Sequence, residues 1–539
     1  MAVENQFRDN DNVKDKTRLL SQNEELYTSD CSTESIDLSS RIDEIVDSLD
    51  IGLFHYIITL ICGLGYSGYS IFYQSIGFVI ISACDLDINR NNKGWLSLAY
   101  MIGLAIGASI FGRLADVYGR RKILVIALLI NLIGMLASAF AYNYLMLVIM
   151  FGLVGSTHAA VVAAIHSYLL EFFPRRYRGR AAAVLSSFLI FGNIYGSVIA
   201  LVILPHSFYS PIGAIYFTNW RLYLLVDSVP SLLSFCALLF LPRSLRFVIA
   251  KNDKKGLRDV LNKINQINSC YKTEVDSYQQ VIYCKVGHRN LPIEEMSDNI
   301  ENDKGNTFLQ DIRELLQPPW RKRLLLMSLV QLGYYVAEQG LTIWLPTVIA
   351  YYVNGQTCWH HHHSGKNNNL SWYTTHSSQN VASDCQSGNN IRTVILNIFL
   401  GHLISIPIAI LCVLLINRIG RKALYIILAS MSGLCILLLL IIDNLQGVLI
   451  LACIFTSIMT NGWTPLKIWN TELFRTEFRA TAQGIIGVNG HLGGALGMII
   501  FAALFYTNCI ATYTIFSALG FLSAFLALFL PDTTNLDIG

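Results

Sequence analysis

Gly112-Arg113-Leu114-Ala115-Asp116-Val117-Tyr118-Gly119-Arg120-Arg121-Lys122 lies between two long apolar runs. A cationic cluster this short, wedged between hydrophobic segments, is what a tight turn between two membrane helices needs. Gly112 and Gly119 let the helix ends approach closely, and Asp116 has arginines on both sides. Two readings stand on these residues alone. The loop is either a signal that fixes the turn on the cytoplasmic side or a device that gates two helices.

The composition around this loop places most of the chain in lipid. The 539 residues are 53% hydrophobic and 14% charged, with a mean hydropathy of +0.47. Soluble domains average about 25% charged residues. At about 20 residues per span, the chain has room for a dozen helices. The net charge of +3 is too small and too dispersed for a nucleic-acid partner. Residues 1–50 are polar and show no cleavable signal peptide, so the first span, beginning near His55, is expected to act as an uncleaved anchor.

Residues 1–50 are acidic and serine-rich, which predicts a disordered arm closing in a short interfacial helix over Ile36–Leu49. Six apolar spans follow, at 55–81, 94–114, 123–142, 145–171, 181–204 and 220–241. Residues 242–323 are polar and lysine-rich, with helical patches such as Gly256–Ile264. Six more spans run over 324–352, 391–416, 423–442, 448–470, 485–505 and 510–530. The expected organisation is an arm (1–50), a six-helix half (51–241), a linker (242–323), a second half (324–530) and a short tail (531–539).

Basic residues gather in alternate loops, at Arg113–Lys122, Arg175–Arg180, Arg418–Lys422, Arg475 and Arg479. The positive-inside rule then puts these loops, the linker and both termini in the cytoplasm. The 353–390 segment falls on the opposite side, where its cysteines Cys358 and Cys385 are the best disulfide candidates and Asn369-Leu370-Ser371 is a glycosylation acceptor. Most other cysteines sit in apolar runs and read as small hydrophobes.

An internal repeat joins the two halves. Asp116-x-x-Gly119-Arg120-Arg121 returns as Asn417-x-x-Gly420-Arg421-Lys422, and Glu171 with Arg178 returns as Glu472 with Arg479. Both pairs are offset by 301 residues. A duplicated six-helix unit around a midplane site is the architecture of many secondary transporters.

Gly112–Lys122 resembles the loop 2–3 signature of the major facilitator superfamily. Further stretches resemble the synaptic vesicle glycoprotein 2 and related-protein group within it: Asn92-Lys93-Gly94, Pro205-His206, Asn219-Trp220-Arg221, Leu241–Phe247, Gly340–Trp344, Gly462-Trp463 and Thr471-Glu472-Leu473. The resemblance implies an all-α integral membrane protein with twelve transmembrane helices in two six-helix halves, in which spans 1, 4, 7 and 10 line the cavity. It also implies that Trp220 and Trp463 line a ligand site. The chain departs from the group where function is decided. Span 1 reads Gly65–Gln74 without a carboxylate, Lys467 replaces an acidic position in span 10, Glu338-Gln339 replaces a tyrosine pair, and Asn417 replaces the second loop's Asp. The long lumenal domain of the vesicle glycoproteins is reduced to the 353–390 segment. Ligand chemistry therefore does not transfer.

The chain's own residues supply candidates. Gln331, Tyr335, Glu338 and Thr342 form one polar stripe on span 7, and Thr460, Trp463, Lys467 and Thr471 repeat the rhythm on span 10. A charge inside a membrane helix is costly and faces a partner or a water-filled cavity. Glu338 and Lys467 are expected either to pair or to bind opposite ends of a solute; Lys467 also lies close enough to its helix end to snorkel. Gln339, Tyr66, Tyr69 and His491 complete the expected cavity, the last in place of a cation in the resembling group. Ordinary packing is the competing reading for each aromatic residue and for His158, His166 and His402. Asp227 needs a neighbour that the sequence does not name. His360–His363 reads as a solvated tract rather than a metal site.

No nucleotide loop or nucleophile elbow is present, so neither catalysis nor a cofactor is expected. Two functions remain: a secondary transporter of a small polar organic solute, driven by protons or by the solute's own gradient, or a transporter-like vesicle receptor. The missing span 1 carboxylates favour the receptor or a uniporter. Gly112, Asp116, Gly119, Arg120, Arg121, Glu171 and Arg178, with Gly420, Arg421, Glu472 and Arg479, form the expected cytoplasmic gate. Its carboxylates should hold loop arginines while the site faces outward and release them on inward opening. Asn417 predicts a weaker second latch.

Overall fold

The computed structural model describes residues 51–86, 92–206, 208–212, 215–250, 253–269, 312–356, 358, 388–442, 444–475 and 479–533. The expected arm, most of the linker, Cys385, Asn369 and His360–His363 lie outside these residues.

Spans 1 to 5 are α1 (Leu53–Ser82), α2 (Lys93–Tyr118), α3 (Arg120–Ala139), α4 (Tyr144–Leu170) and α5 (Arg175–Ile203). A hairpin, β1 (Tyr209–Ile212) paired antiparallel with β2 (Ile215–Thr218), then leads into span 6. That span is broken into α6 (Asn219–Asp227) and α7 (Val229–Leu238), with Pro230 in the first turn after the break. Two linker helices follow, α8 (Leu245–Ala250) and α9 (Lys254–Ser269). Span 7 is α10 (Trp320–Val353). Spans 8 to 12 are α11 (Gly388–Ile419), α12 (Arg421–Leu438), α13 (Leu445–Glu472), α14 (Arg479–Leu504) and α15 (Cys509–Ala527). The hairpin is the one regular element that the apolar pattern does not foreshadow.

Local chemistry sets several boundaries. Asn143, Asn444 and Asn508 cap spans 4, 10 and 12 by accepting from the backbone N–H groups of Met146, Gly447 and Ala511, at 2.7, 2.8 and 2.9 Å. Gly119 and Gly420 make the turns between spans 2 and 3 and between spans 8 and 9, with φ of 92° and 97°. A side chain would strain both turns, which is why the loop signature carries glycine there twice. In the linker, α9 buries Val260, Leu261 and Ile264, and its Asn268 accepts from the Phe54 N–H at 3.0 Å.

Large apolar side chains also cover the outside. Ile126, Leu129, Ile133 and Leu136 of span 3 and Ile410, Leu411, Val413 and Leu414 of span 8 are exposed. Rows of exposed Leu, Ile and Val on closed helices are the surface a bilayer solvates. Among the described residues, ten helices are long and apolar enough to cross it. The chain is a multi-pass membrane protein.

Helix direction gives the bundle two ends. Turns at Gly119, Glu171, Gly420 and Glu472 share the basic-loop face, and the ends of spans 1 and 7 with the start of span 12 share the other. On that second face Cys358 is bonded to Cys509, with Cα atoms 5.6 Å apart, and Cys84 is also disulfide-bonded. The expected Cys358–Cys385 pairing is corrected: span 12 brings Cys509 beside the end of span 7, across 151 residues of sequence. Cys62, Cys412, Cys435 and Cys453 are buried free thiols, as their apolar surroundings imply.

Candidate functional site

Spans 7 and 10 meet where Tyr334 packs on Gly462 and its hydroxyl donates to the Met459 carbonyl at 3.2 Å. One turn along from that contact, the Trp463 indole N–H donates to Glu338 Oε1 at 3.3 Å. Glu338 is 4% exposed, and its other oxygen, Oε2, has no hydrogen-bond partner. Nearby polar atoms are also left open. Tyr73 Oη, Gln339 Oε1 and Thr342 Oγ1 are buried and unpartnered. Buried polar atoms are satisfied almost everywhere in folded proteins. A group of open ones around a carboxylate is the mark of a site that awaits a ligand.

Aromatic rings enclose this carboxylate from several helices. Tyr335 of span 7 stands edge-on to Trp463 with centroids 4.5 Å apart, and Tyr69 stacks on Tyr73 of span 1 at 6.2 Å. Tyr69 and Tyr73 are both within electrostatic reach of Glu338, so the site spans the two halves. Towards the basic-loop face, Tyr66 meets His166 of span 4 at 4.7 Å and Tyr335 meets His491 of span 11 at 5.7 Å. Lys467 places its ammonium 5.9 Å from the Trp463 ring. It also lies within electrostatic reach of Glu338, His166 and His491. A lysine of the second half that senses His166 of the first points between the halves and not into lipid.

The structure thus gathers Glu338, Gln339, Tyr335, Trp463, Lys467, Tyr66, Tyr69 and His491 at one place, and adds Tyr73 and His166. Glu338 and Lys467 do not form an ion pair. Trp220 is corrected. It is fully buried at the start of span 6, on the disulfide face, where its indole N–H donates to Asp85 Oδ1 at 2.6 Å. Arg221 beside it, 1% exposed, pairs with Asp85 Oδ2 at 2.7 Å and donates to the Ala139 and Ala141 carbonyls. Trp220 therefore fastens spans 1, 3 and 6 together and lines no cavity. Asp227 finds its neighbour in span 1: Ser75 Oγ donates to Oδ2 at 2.5 Å and contacts Tyr223 Oη at 3.1 Å. His158 packs among Tyr69, Phe72 and Tyr100, and its Nδ1 bonds the Tyr100 hydroxyl.

The repeated loops build two matching cages on the basic-loop face. In the first half, Arg120 pairs with Glu171 at 2.5 Å, and Ser244 donates to the other Glu171 oxygen. In the second, Arg421 pairs with Glu472 at 3.2 Å, and Thr533 donates to the other oxygen at 2.7 Å. The correspondence continues outward. Arg121 holds the carbonyls of Leu238 and Leu239, and Lys422 those of Leu528 and Leu530. Tyr168 donates to the Pro242 carbonyl and Trp469 to that of Pro531. Arg178 and Arg479 each donate to the carbonyl five residues back, Phe173 and Phe474, at 3.1 and 3.2 Å. Gly112 and Asp116 lie in the last turns of span 2, and their side chains are outside the described set.

Among the described residues, the Arg120–Glu171 and Arg421–Glu472 pairs each lie within one half. On the disulfide face, by contrast, the halves touch: a Cβ added at Gly77 would stand 2.6 Å from the Ile343 carbonyl, and one at Gly94 would stand 2.7 Å from Ala502. Lys467, between the halves near the basic-loop face, is exposed. The halves thus pack closely on the disulfide side, and Lys467 is the exposed member of the group on the basic-loop side. The Arg120–Glu171 and Arg421–Glu472 pairs are closed in this conformation.

Comparison with known proteins agrees with this architecture. The family model described as Major Facilitator Superfamily matches residues 56–357 and 388–537. Human synaptic vesicle glycoprotein 2A is 24% identical over 597 aligned residues, covering 93% of this chain and 80% of that protein. Mouse synaptic vesicle glycoprotein 2B is also 24% identical, covering 92% and 86%. Among solved structures, the partially occluded inward-open xylose transporter XylE from E. coli superposes with a TM-score of 0.62 at 16% identity, over 89% of this chain and 99% of its own. A D-xylose–proton symporter superposes with a TM-score of 0.60 at the same identity. With the family model spanning both six-helix halves, the chain belongs to the major facilitator superfamily.

Proposed function

We propose that this protein is a secondary transporter that moves a small polar organic solute by alternating access, coupled to protons through Glu338. The observation that carries the reading is the buried, unpartnered Oε2 of Glu338, beside Trp463 of span 10. A carboxylate without an ion-pair partner in a membrane helix is where a proton and a solute group exchange. On this reading the basic-loop face is the cytoplasmic one. The membrane is the plasma membrane or that of a vesicle.

Uptake into proteoliposomes under an imposed pH gradient, across a panel of polar solutes, tests this reading. Wild type should accumulate at least one solute, and Glu338→Gln should lose the response to the gradient. Unchanged gradient-driven uptake in Glu338→Gln would remove the residue from coupling. For topology, the 353–390 segment should carry a glycan at Asn369, seen as a mobility shift after glycosidase treatment and lost in Asn369→Gln.

A second reading has its own support. Span 1 lacks a carboxylate over Gly65–Gln74, and the similar proteins named above are vesicle glycoproteins. A vesicle receptor of transporter-like fold would move no solute in the same panel while retaining partners through residues 1–50 and the linker.

A further inference from the structure

We infer that the solute is zwitterionic, binding a cationic amine at Glu338 and an anionic group at Lys467, with Trp463 between the two ends. This rests on the transporter reading for its biological use, but the binding it describes is separate from movement.

The two ends of the cavity differ in what they lack. At the Glu338 end the unpartnered atoms accept once Glu338 is ionised: Oε2 is then an acceptor only, Gln339 Oε1 is an acceptor, and the Tyr73 and Thr342 hydroxyls can accept as well. A neutral polyol can donate to the same atoms but brings no charge to set against the carboxylate. An ammonium presents donors only and carries the charge that Glu338 neutralises. The surrounding rings of Tyr69, Tyr73, Tyr335 and Trp463 offer the faces and edges on which an alkylammonium is held.

The other end has the opposite character. Lys467 is exposed, forms no ion pair with Glu338, and is flanked by His166 and His491, whose Nδ1 is unpartnered. These three nitrogen-bearing side chains come from spans 4, 10 and 11, and each packs on an aromatic ring of the same group, His166 on Tyr66, His491 on Tyr335 and Lys467 on Trp463. No carboxylate of those spans neutralises Lys467 among the described residues. An anionic group entering from the basic-loop face meets this end first. The Trp463 indole joins the two, because its N–H holds Glu338 while its ring lies under the Lys467 ammonium. The ends are held about one indole apart, which keeps them from quenching each other and leaves both for a ligand.

Equilibrium binding to the purified full-length protein, read as a thermal shift, separates this from other ligand classes. The probes are ω-amino acids from aminoethanoate to aminohexanoate, the matching alkylamines and carboxylates, and xylose as a neutral polyol. One chain length of the zwitterion series should half-saturate at a concentration at least about tenfold below its amine and its acid, since each charged contact carries that much. Glu338→Gln should erase the advantage over the acid, and Glu338→Asp should retain part of it. Lys467→Met should erase the advantage over the amine. Equal binding of xylose or of the amine alone, or no binding by any zwitterion, overturns the inference. Binding without uptake in proteoliposomes would defeat the transporter reading and leave this one standing. Uptake of a neutral solute with no zwitterion binding would do the reverse.

Discussion

Glu338 and Trp463 act as one unit, since the indole N–H is what occupies one carboxylate oxygen and directs the other into the cavity. Trp463→Phe keeps an aromatic ring against Tyr335 but removes that donor. A hydrogen bond to a charged group is worth about 1.5–3 kcal/mol, so solute affinity should fall roughly tenfold or more in a binding titration, with little change in thermal stability. At Arg221 the balance is reversed. Asp85→Ala would leave a guanidinium that is 1% exposed with only carbonyl partners. Removing one partner of a buried pair costs about 3–5 kcal/mol, and thermal unfolding in detergent should show it without any role for solute. The sequence made Glu338 legible because a lone carboxylate in an apolar helix has few uses. It misplaced Trp220 because resemblance fixes an aromatic on a helix but not the depth at which the helix presents it. Asp85, outside any span, gave no sign that it would fold back onto Trp220 and Arg221.

Helix ends decide the cages. Glu171 has a side chain 1% exposed and pairs at 2.5 Å, whereas Glu472 is 24% exposed and pairs at 3.2 Å. The drier carboxylate is held more strongly and is more costly to strand. Glu171→Gln should therefore lower thermal stability by about 3 kcal/mol, while Glu472→Gln should cost about 1 kcal/mol or less, both read from unfolding curves. Equal losses would show that burial does not rank the two cages. The arginines and carboxylates were legible from the common 301-residue offset, which is local pattern repeated. Their hydroxyl partners were not. Ser244 and Thr533 sit in Leu241-Pro242-Arg243-Ser244 and Leu530-Pro531-Asp532-Thr533, and their offset is 533 − 244 = 289 residues. A repeat search at one register passes over a signal that insertions elsewhere have shifted.

At the scale of the whole molecule, the arrangement of six spans, linker and six spans followed from hydropathy and loop charge, because lipid imposes the same demand on every span. Which cysteines meet could not follow, since Cys358 and Cys509 are joined only by how spans 7 and 12 pack. Both belong to the second half, so the bond does not tie the halves together. Cys358→Ser should lower stability by about 2–4 kcal/mol while leaving uptake per folded molecule unchanged, a split that separates a staple from a gate. Alternation itself predicts sidedness. A cysteine at Lys467→Cys should react with an impermeant thiol reagent applied at the basic-loop face, and react less when solute drives the bundle to its other state. Equal labelling from both faces would argue against a closed disulfide side.

Span 7 carries Gln331, Glu338 and Gln339 and, though fully described and 34 residues long, falls short of the apolarity that ten of the spans reach. A charged residue at a helix centre costs about 2.5–3.5 kcal/mol on insertion, and span 7 recovers that only once its polar stripe has neighbours. Those neighbours, spans 10 and 11, are made later on the ribosome. The solute site therefore carries a burden in biogenesis: a chain stopped after residue 353 should leave span 7 poorly integrated in a translocation assay, and extension through residue 504 should restore it.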